Sequence, residues 1–280
     1  MREGSDTFPV DTSPAAETYS HGHHASVLRS HRWRTAENSA GHLLPHLRPG
    51  QRLLDVGSGA GTITADLAAR LAPGEVVGLD GAAAAVEATA ALGAERGLTN
   101  LTAVQGSAYD LAPAGSGFDV VHAHQVLQHL ADPVAALRAM AGACAPDGLV
   151  AVRDADYAAM TWFPADAGLD RWRELYRAVA RANGGEPDAG RRLTGWARAA
   201  GLREITSSAS VWCFATVEDL DWWTGTWAER LTESAFGRQG VDLGLTDRAE
   251  LVSLAAVWRA WGQREDAWFA VLHGEVLARP

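Results

Sequence analysis

The stretch Leu53-Leu54-Asp55-Val56-Gly57-Ser58-Gly59-Ala60-Gly61-Thr62 decides the reading of this chain. A short apolar strand, RLLDVG, runs into a glycine-rich turn. The turn opens TITADLAARL, which has helical spacing and is stopped by Pro73-Gly74. Glycines let the backbone fold tightly there and let a ligand approach main-chain atoms closely. In a sheet of parallel strands such a ligand lies at the carboxyl ends, where strand order reverses.

Outward from this turn, strand and helix signals alternate. EVVGLD reads as a second strand, AAAAVEATAALGAERG as a helix, LTAVQG as a third strand and FDVVHAHQV as a fourth. Asp132-Pro133 supplies an N-cap and first-turn pair for the helix DPVAALRAMAGACA. Pro146-Asp147-Gly148 then turns the chain into a fifth strand, LVAVRDA. Alternation of this kind predicts an α/β fold, a doubly wound parallel sheet with helices on both faces. After Asp156 the regularity drops. YAAMTWFP reads as a loop, LDRWRELYRAVARANGG and RRLTGWARAAG as helices, REITSSASVW as a strand, VEDLDWWTGTWAERL and TDRAELVSLAAVWRAWGQRE as helices, and WFAVLHGEVLAR as a final strand.

The totals narrow the function. The chain has 280 residues, 47% of them hydrophobic, enough to bury a full core. No apolar run is long enough to span a membrane. The first residues, MREGSDTFPVDTSPAA, lack the apolar centre of a signal peptide. Cys144 and Cys213 each sit alone among apolar or small residues, which predicts neither disulfide nor zinc framework. A cytoplasmic protein is expected. The formal charge is −10 and every basic side chain is arginine. An acidic surface repels a phosphate backbone, so no nucleic-acid partner is expected.

The glycine spacing separates two ligand classes. A dinucleotide fingerprint wants its third glycine at position 62, which is Thr; the glycines here stand at 57, 59 and 61. That pattern, preceded by Asp55, resembles motif I of class I S-adenosylmethionine-dependent methyltransferases. Asp80 ends the second strand 19 residues beyond Gly61, where an acid can accept both ribose hydroxyls. Gln105-Gly106-Ser107-Ala108-Tyr109 resembles the family's Gly-Asp-Ala segment, with Ser107 in place of the acid that binds adenine. Phe118 to Val121, followed by His124-Gln125-Val126-Leu127-Gln128-His129, resembles motif IV. The resemblance covers roughly residues 40–155. It implies S-adenosylmethionine as cofactor and a Rossmann-like seven-stranded sheet whose last strand is antiparallel. Carried onto this chain, it implies cofactor contacts at Asp55, Gly57, Ser58, Gly59, Gly61, Asp80, Ser107, Ala108 and the backbone near His124. Separately, Arg29 and Arg34 lie in the amino-terminal segment, and one of them, Arg34 being the candidate taken, is read as pairing with the cofactor carboxylate, with a surface arginine as the alternative. Asp55 suits the cationic ammonium and sulfonium groups.

Methyl transfer is an in-line displacement from a good leaving group, so positioning and exclusion of water do most of the work. Phenol, amine and indole acceptors also need a base. Nine of the ten histidines precede residue 130. Tyr19, His21, His23 and His24 form the densest polar cluster and are the candidate catalytic groups. A solvated helix start with incidental histidines is the plain alternative. No metal is expected, since this cluster lacks a nearby fourth ligand. His122, read as pointing opposite to His124, is expected to be structural, and His129 to cap, pack or meet the substrate. Ten of the eleven tryptophans follow residue 160. The pairs Trp223 and Trp227, and Trp258 and Trp261, can each share a helix face, as core or as an aromatic pocket. Gln125, His129, Tyr157, Trp162 and Phe163 are the substrate candidates.

The sequence therefore predicts a disordered tail over 1–16, an N-terminal helical lid over 17–47, a cofactor-binding Rossmann-like core over 48–156, and substrate-binding helices plus the last strands over 157–280. The segment YSHGHHASVLRSHRWRTAENSA resembles actinobacterial natural-product methyltransferases of secondary metabolism, including those that methylate indole C3 to give pyrroloindolines. The expected partner is a small aromatic molecule, with no nucleic acid and no membrane; a homodimer is allowed. O- or N-methylation of another metabolite, a nicotinamide-dependent oxidoreductase, and a catalytically silent cofactor-binding module are the alternatives.

Overall fold

A computed structural model describes residues 33–280. Strand β1 (Leu53–Val56) leads through the glycine turn into helix α1 (Thr62–Leu71). Then follow β2 (Val76–Asp80), α2 (Ala83–Glu95), β3 (Leu101–Gln105), β4 (Phe118–His124), α3 (Pro133–Ala143) and β5 (Cys144–Ala155). The carboxyl-terminal part holds β6 (Thr161–Phe163), α4 (Ala167–Ala182), α5 (Leu193–Ala200), β7 (Arg203–Phe214), α6 (Val217–Glu233), α7 (Ala235–Asp242), α8 (Arg248–Gly262) and β8 (Trp268–Arg279).

These strands form one sheet in the order β3-β2-β1-β4-β5-β8, parallel through β5. β8 runs antiparallel and pairs with β5, β6 and β7. The order reverses beside β1, so the carboxyl ends of β1 and β4 form the expected ligand crevice. The α/β sheet is as predicted, with β6 as an eighth strand. The three residues of β6 lie inside YAAMTWFP, read above as a loop. α7 also went unread, because its eight residues carry two glycines.

Alternation along the strands builds two apolar faces. Leu54, Val56, Val121, Val150 and Val152 pack on one side with Leu137 and Met140 of α3 and Leu193 of α5. Leu53, Val120 and Ala151 pack on the other with Ile63, Leu67 and Leu71 of α1. The tryptophan pairs are core: Trp172, Trp227 and Trp258 are fully buried, and Trp172 meets the other two edge-on at 4.5 and 4.7 Å.

Two local readings are corrected. The Pro146-Asp147-Gly148 turn is a bulge inside β5, where pairing jumps from Phe118↔Cys144 to Val120↔Leu149. A Cβ at Gly148 would meet the carbonyls of Ala145 and Phe118 at 2.9 Å, so only glycine fits the bulge. The helical pattern read up to Leu47 is interrupted in its described part. One helical turn spans Ala36–Ser39 and a 3₁₀ turn spans Leu44–His46. Between them a Cβ at Gly41 would lie 2.9 Å from the Glu37 carbonyl. Residues 1–32, with Tyr19, His21, His23, His24 and Arg29, lie outside the described residues. Among the described residues, no helix is long and apolar enough to cross a membrane.

Candidate active site

Gly57, Gly59 and Gly61 all have positive φ, at 77°, 57° and 78°. Only glycine adopts that run without strain. At Gly57 a Cβ would also fall 2.3 Å from Val126 Cγ2, on the segment that follows β4. The loop therefore sits tightly against the end of β4. Asp80 closes it from β2: its carboxylate accepts the Gly59 N–H at 2.9 Å through Oδ2 and the Ala82 N–H at 2.9 Å through Oδ1. Each oxygen keeps a lone pair for a further donor, and the side chain is half-buried. That pair of acceptors suits the two hydroxyls of a ribose.

Of the other predicted cofactor groups, the side chains of Asp55 and Ser58 are turned into the interior. Asp55 is 3% exposed, and both oxygens are engaged. Thr64 Oγ1 donates to Oδ2 at 2.6 Å, and His122 Nδ1 donates to Oδ1 at 2.8 Å. Asp55 thus ties β1 to α1 and β4 beneath the loop and does not face a cationic ligand. The Ser58 hydroxyl is buried against Thr89, with an Oγ–Oγ distance of 3.1 Å. Ser107 is exposed at the end of β3 and accepts the Tyr109 N–H at 3.2 Å. Ala108 packs beside it at the edge of the core.

At the carboxyl end of β4, Gln125 takes φ 53°, a conformation that is costly without glycine. Its side chain joins three elements. Arg34 Nη2 donates to Gln125 Oε1 at 2.6 Å, Gln125 Nε2 donates to His273 Nε2 at 2.8 Å, and His273 Nδ1 donates to the Val271 carbonyl at 3.1 Å. This directional chain fixes His273 as the neutral Nδ1–H tautomer. Arg34 is thereby brought to the end of β4.

His122 and His124, read as pointing apart, lie two residues apart in a strand and share a face. Both belong to a buried polar row that climbs the sheet through Asp55, His122, His124, Arg153, Glu275 and His273. Sequence reading missed Arg153, His273 and Trp212. The signal for Arg153 was a charge inside the buried run VAVRDA. Of the substrate candidates, Tyr157 is 5% exposed and stacks on Tyr176 at 4.0 Å, a core position. Trp162 stacks on Phe269 at 5.5 Å, while Phe163 is exposed at the sheet edge. His129 accepts from Gln128 Nε2 at 3.0 Å. Gln125 is the candidate that stands at the crevice. An aromatic wall lies beside it: Trp33 stacks on Trp222 at 5.3 Å and meets Trp212 edge-on at 5.1 Å.

Burial sets the charge of this region. It holds His42 down at about 4, with His122 adding to the effect, and His129 at about 3, with Arg34 adding to it. His124 and His273 are held well below the ordinary value by burial and then by Arg153. Each imidazole stays neutral in the fold but protonates near pH 6.5 once unfolded. Below about pH 6.5 the unfolded chain therefore binds more protons. Each group then removes about 1.4 kcal/mol of stability per pH unit, down to its folded value. Asp154 opposes this: burial raises it to about 7, so it adds stability as pH falls from about 7 toward 3.8. Four imidazoles outweigh one carboxyl. The melting temperature, followed by circular dichroism, should fall steadily from pH 7 to pH 5; a flat or rising trend contradicts neutral imidazoles.

Comparison with known proteins decides the family. The family model described as a methyltransferase domain matches residues 47–216. An uncharacterized methyltransferase of Schizosaccharomyces pombe is 33% identical over 270 residues, covering 92% of this chain and 95% of the relative. The chain belongs to the methyltransferase family. A nocamycin O-methyltransferase of Saccharothrix syringae is 45% identical over 105 residues, 37% of each chain. The fold also matches a Haemonchus contortus phosphoethanolamine N-methyltransferase solved with S-adenosylhomocysteine, at TM-score 0.53 and 15% identity, covering 85% of this chain and 52% of that one. This methyltransferase uses S-adenosylmethionine, which supplies an electrophilic methyl group. The positive-φ glycines and the Asp80 carboxylate fit that cofactor.

Removing the Asp80 carboxylate should cost about 1–3 kcal/mol of cofactor binding, since charge-assisted hydrogen bonds are lost. Calorimetry of Asp80→Ala with S-adenosylhomocysteine should show roughly tenfold to hundredfold weaker binding. Unchanged affinity in a folded variant rejects the ribose assignment.

Proposed function

We propose that this methyltransferase methylates a small, flat aromatic metabolite, with indole C3 as the first acceptor atom to test. The observation that carries the reading is the aromatic wall of Trp33, Trp212 and Trp222 beside Gln125. Indole faces of this kind hold a planar ring and stabilise positive charge on it. Positive charge develops on an indole ring when C3 attacks the methyl group, and loss of the ring N–H proton relieves it. The acidic net charge supports a free small molecule over nucleic acid or an anionic membrane surface. The relative named for nocamycin O-methylation supports a natural-product acceptor, and keeps oxygen among the atoms to test.

Base chemistry is assigned to the amino-terminal segment. His124, His129 and His273 are held so far below the ordinary value that each is a weak base. Tyr19, His21, His23 and His24 are therefore the proposed source of a base. The test is a panel of 3-substituted indoles, phenols and aromatic amines incubated with methyl-deuterated cofactor and read by mass spectrometry. A labelled, C3-methylated 3H-indole is the expected product, closed to a pyrroloindoline where the 3-substituent carries an amine that adds to C2. Label on phenols or amines alone moves the reading to O- or N-methylation.

A further inference from the structure

We infer that Arg153 is the docking point for a carboxylate on the methyl acceptor, with Trp212 as the wall for the acceptor's aromatic body. The inference rests on the reading that the acceptor is a small aromatic molecule, and adds an acidic group to it.

The Arg153 side chain is 1% exposed. Its Nε donates to Ser210 Oγ at 3.0 Å and to Glu275 Oε1 at 3.2 Å. Nη1 and Nη2, the two arms of the fork, have no hydrogen-bond partner among the described residues. Leaving buried donors unpaired is costly, and more so on a charged group. A guanidinium held purely for structure would turn its fork to Glu275. Here Glu275 takes only Nε and is otherwise bound by the hydroxyls of Ser208 and Ser210. The fork is left for something the protein does not provide, and its planar pair of donors matches a carboxylate.

The surroundings agree. Arg153 lies in register with His124 at the end of β4, one residue from Gln125. Its guanidinium carbon is 5.0 Å from the Trp212 ring centroid, and that of Arg34 is 5.6 Å from the same ring. The His124 ring lies 5.6 Å from it, buried, with both nitrogens unpartnered among the described residues. Burial lowers Arg153 only to about 10, so it stays charged at neutral pH. Two guanidiniums thus meet at one indole ring, and Glu275 forms the ion pair with Arg153. An acceptor carboxylate would satisfy the open donors of Arg153.

The test titrates protein loaded with S-adenosylhomocysteine with indole-3-acetate and with its neutral amide, indole-3-acetamide. Wild-type protein should prefer the acid by about tenfold or more, as charge-assisted pairing predicts. Arg153→Met should abolish that preference while S-adenosylhomocysteine affinity stays within about twofold. Arg153→Lys should keep part of it. Equal affinity for acid and amide, or millimolar failure to bind either, overturns the inference and leaves the cluster as a site for buried water. A parallel loss of S-adenosylhomocysteine affinity in Arg153→Met assigns the fork to the cofactor's own carboxylate, which also overturns it. If Arg153→Met does not fold, the acid and amide on wild-type protein decide the matter alone. Failure of wild-type protein to bind S-adenosylhomocysteine is a different result, which defeats the whole site.

Discussion

Gly59→Val should leave no measurable cofactor binding, a loss of more than about a hundredfold. The residue sits at φ 57°, where a β-branched side chain is a strained outlier. Moving the backbone out of that conformation also breaks the bond from the Gly59 N–H to Asp80 Oδ2. Two contributions of about 1–3 kcal/mol each, one from strain and one from the lost bond, together exceed the loss in Asp80→Ala. The loop lies at the rim of the sheet, outside the packed faces of Leu53, Val120 and Ala151, so the fold should survive. Calorimetry with S-adenosylhomocysteine on a variant of unchanged circular dichroism is the check. Binding within about threefold of wild type places the cofactor elsewhere.

The second large effect is expected from the amino-terminal cluster. Tyr19→Phe and His24→Ala should each lower kcat by roughly 10² to 10⁴, the contribution of a base acting in the chemical step. Cofactor affinity should change little, because the interaction is made in the transition state. Single-turnover kinetics across pH would show a rising limb near pH 6–7 for a histidine base. Losses under about threefold in all four of Tyr19, His21, His23 and His24, changed singly, reduce the cluster to a surface feature.

The nucleotide-type half of the fold was legible because local signals agree there. A buried strand, three glycines that each need a positive φ, and an acid at the end of the next strand all specify one crevice. The Asp132 cap was equally legible: its carboxylate accepts the Ala135 N–H at 2.9 Å as the Asp-Pro pair requires. The acceptor side was less legible because it is assembled from distant segments. Trp33, Gln125, Arg153, Trp212 and His273 span most of the chain and share no spacing. Trp162 and Tyr157 illustrate the converse: proximity to β5 in sequence suggested substrate contact, yet their rings pack into the core. Asp55 likewise carries the residue type of the motif, while the side chains of Thr64 and His122 determine where its charge points.

The most direct test of the account is a pair of titrations on the wild-type chain, one with S-adenosylhomocysteine and one with NADH. The glycine spacing and Asp80 predict one-to-one micromolar binding of S-adenosylhomocysteine that weakens in Asp80→Ala, and no binding of NADH. Binding of NADH with none of S-adenosylhomocysteine contradicts it.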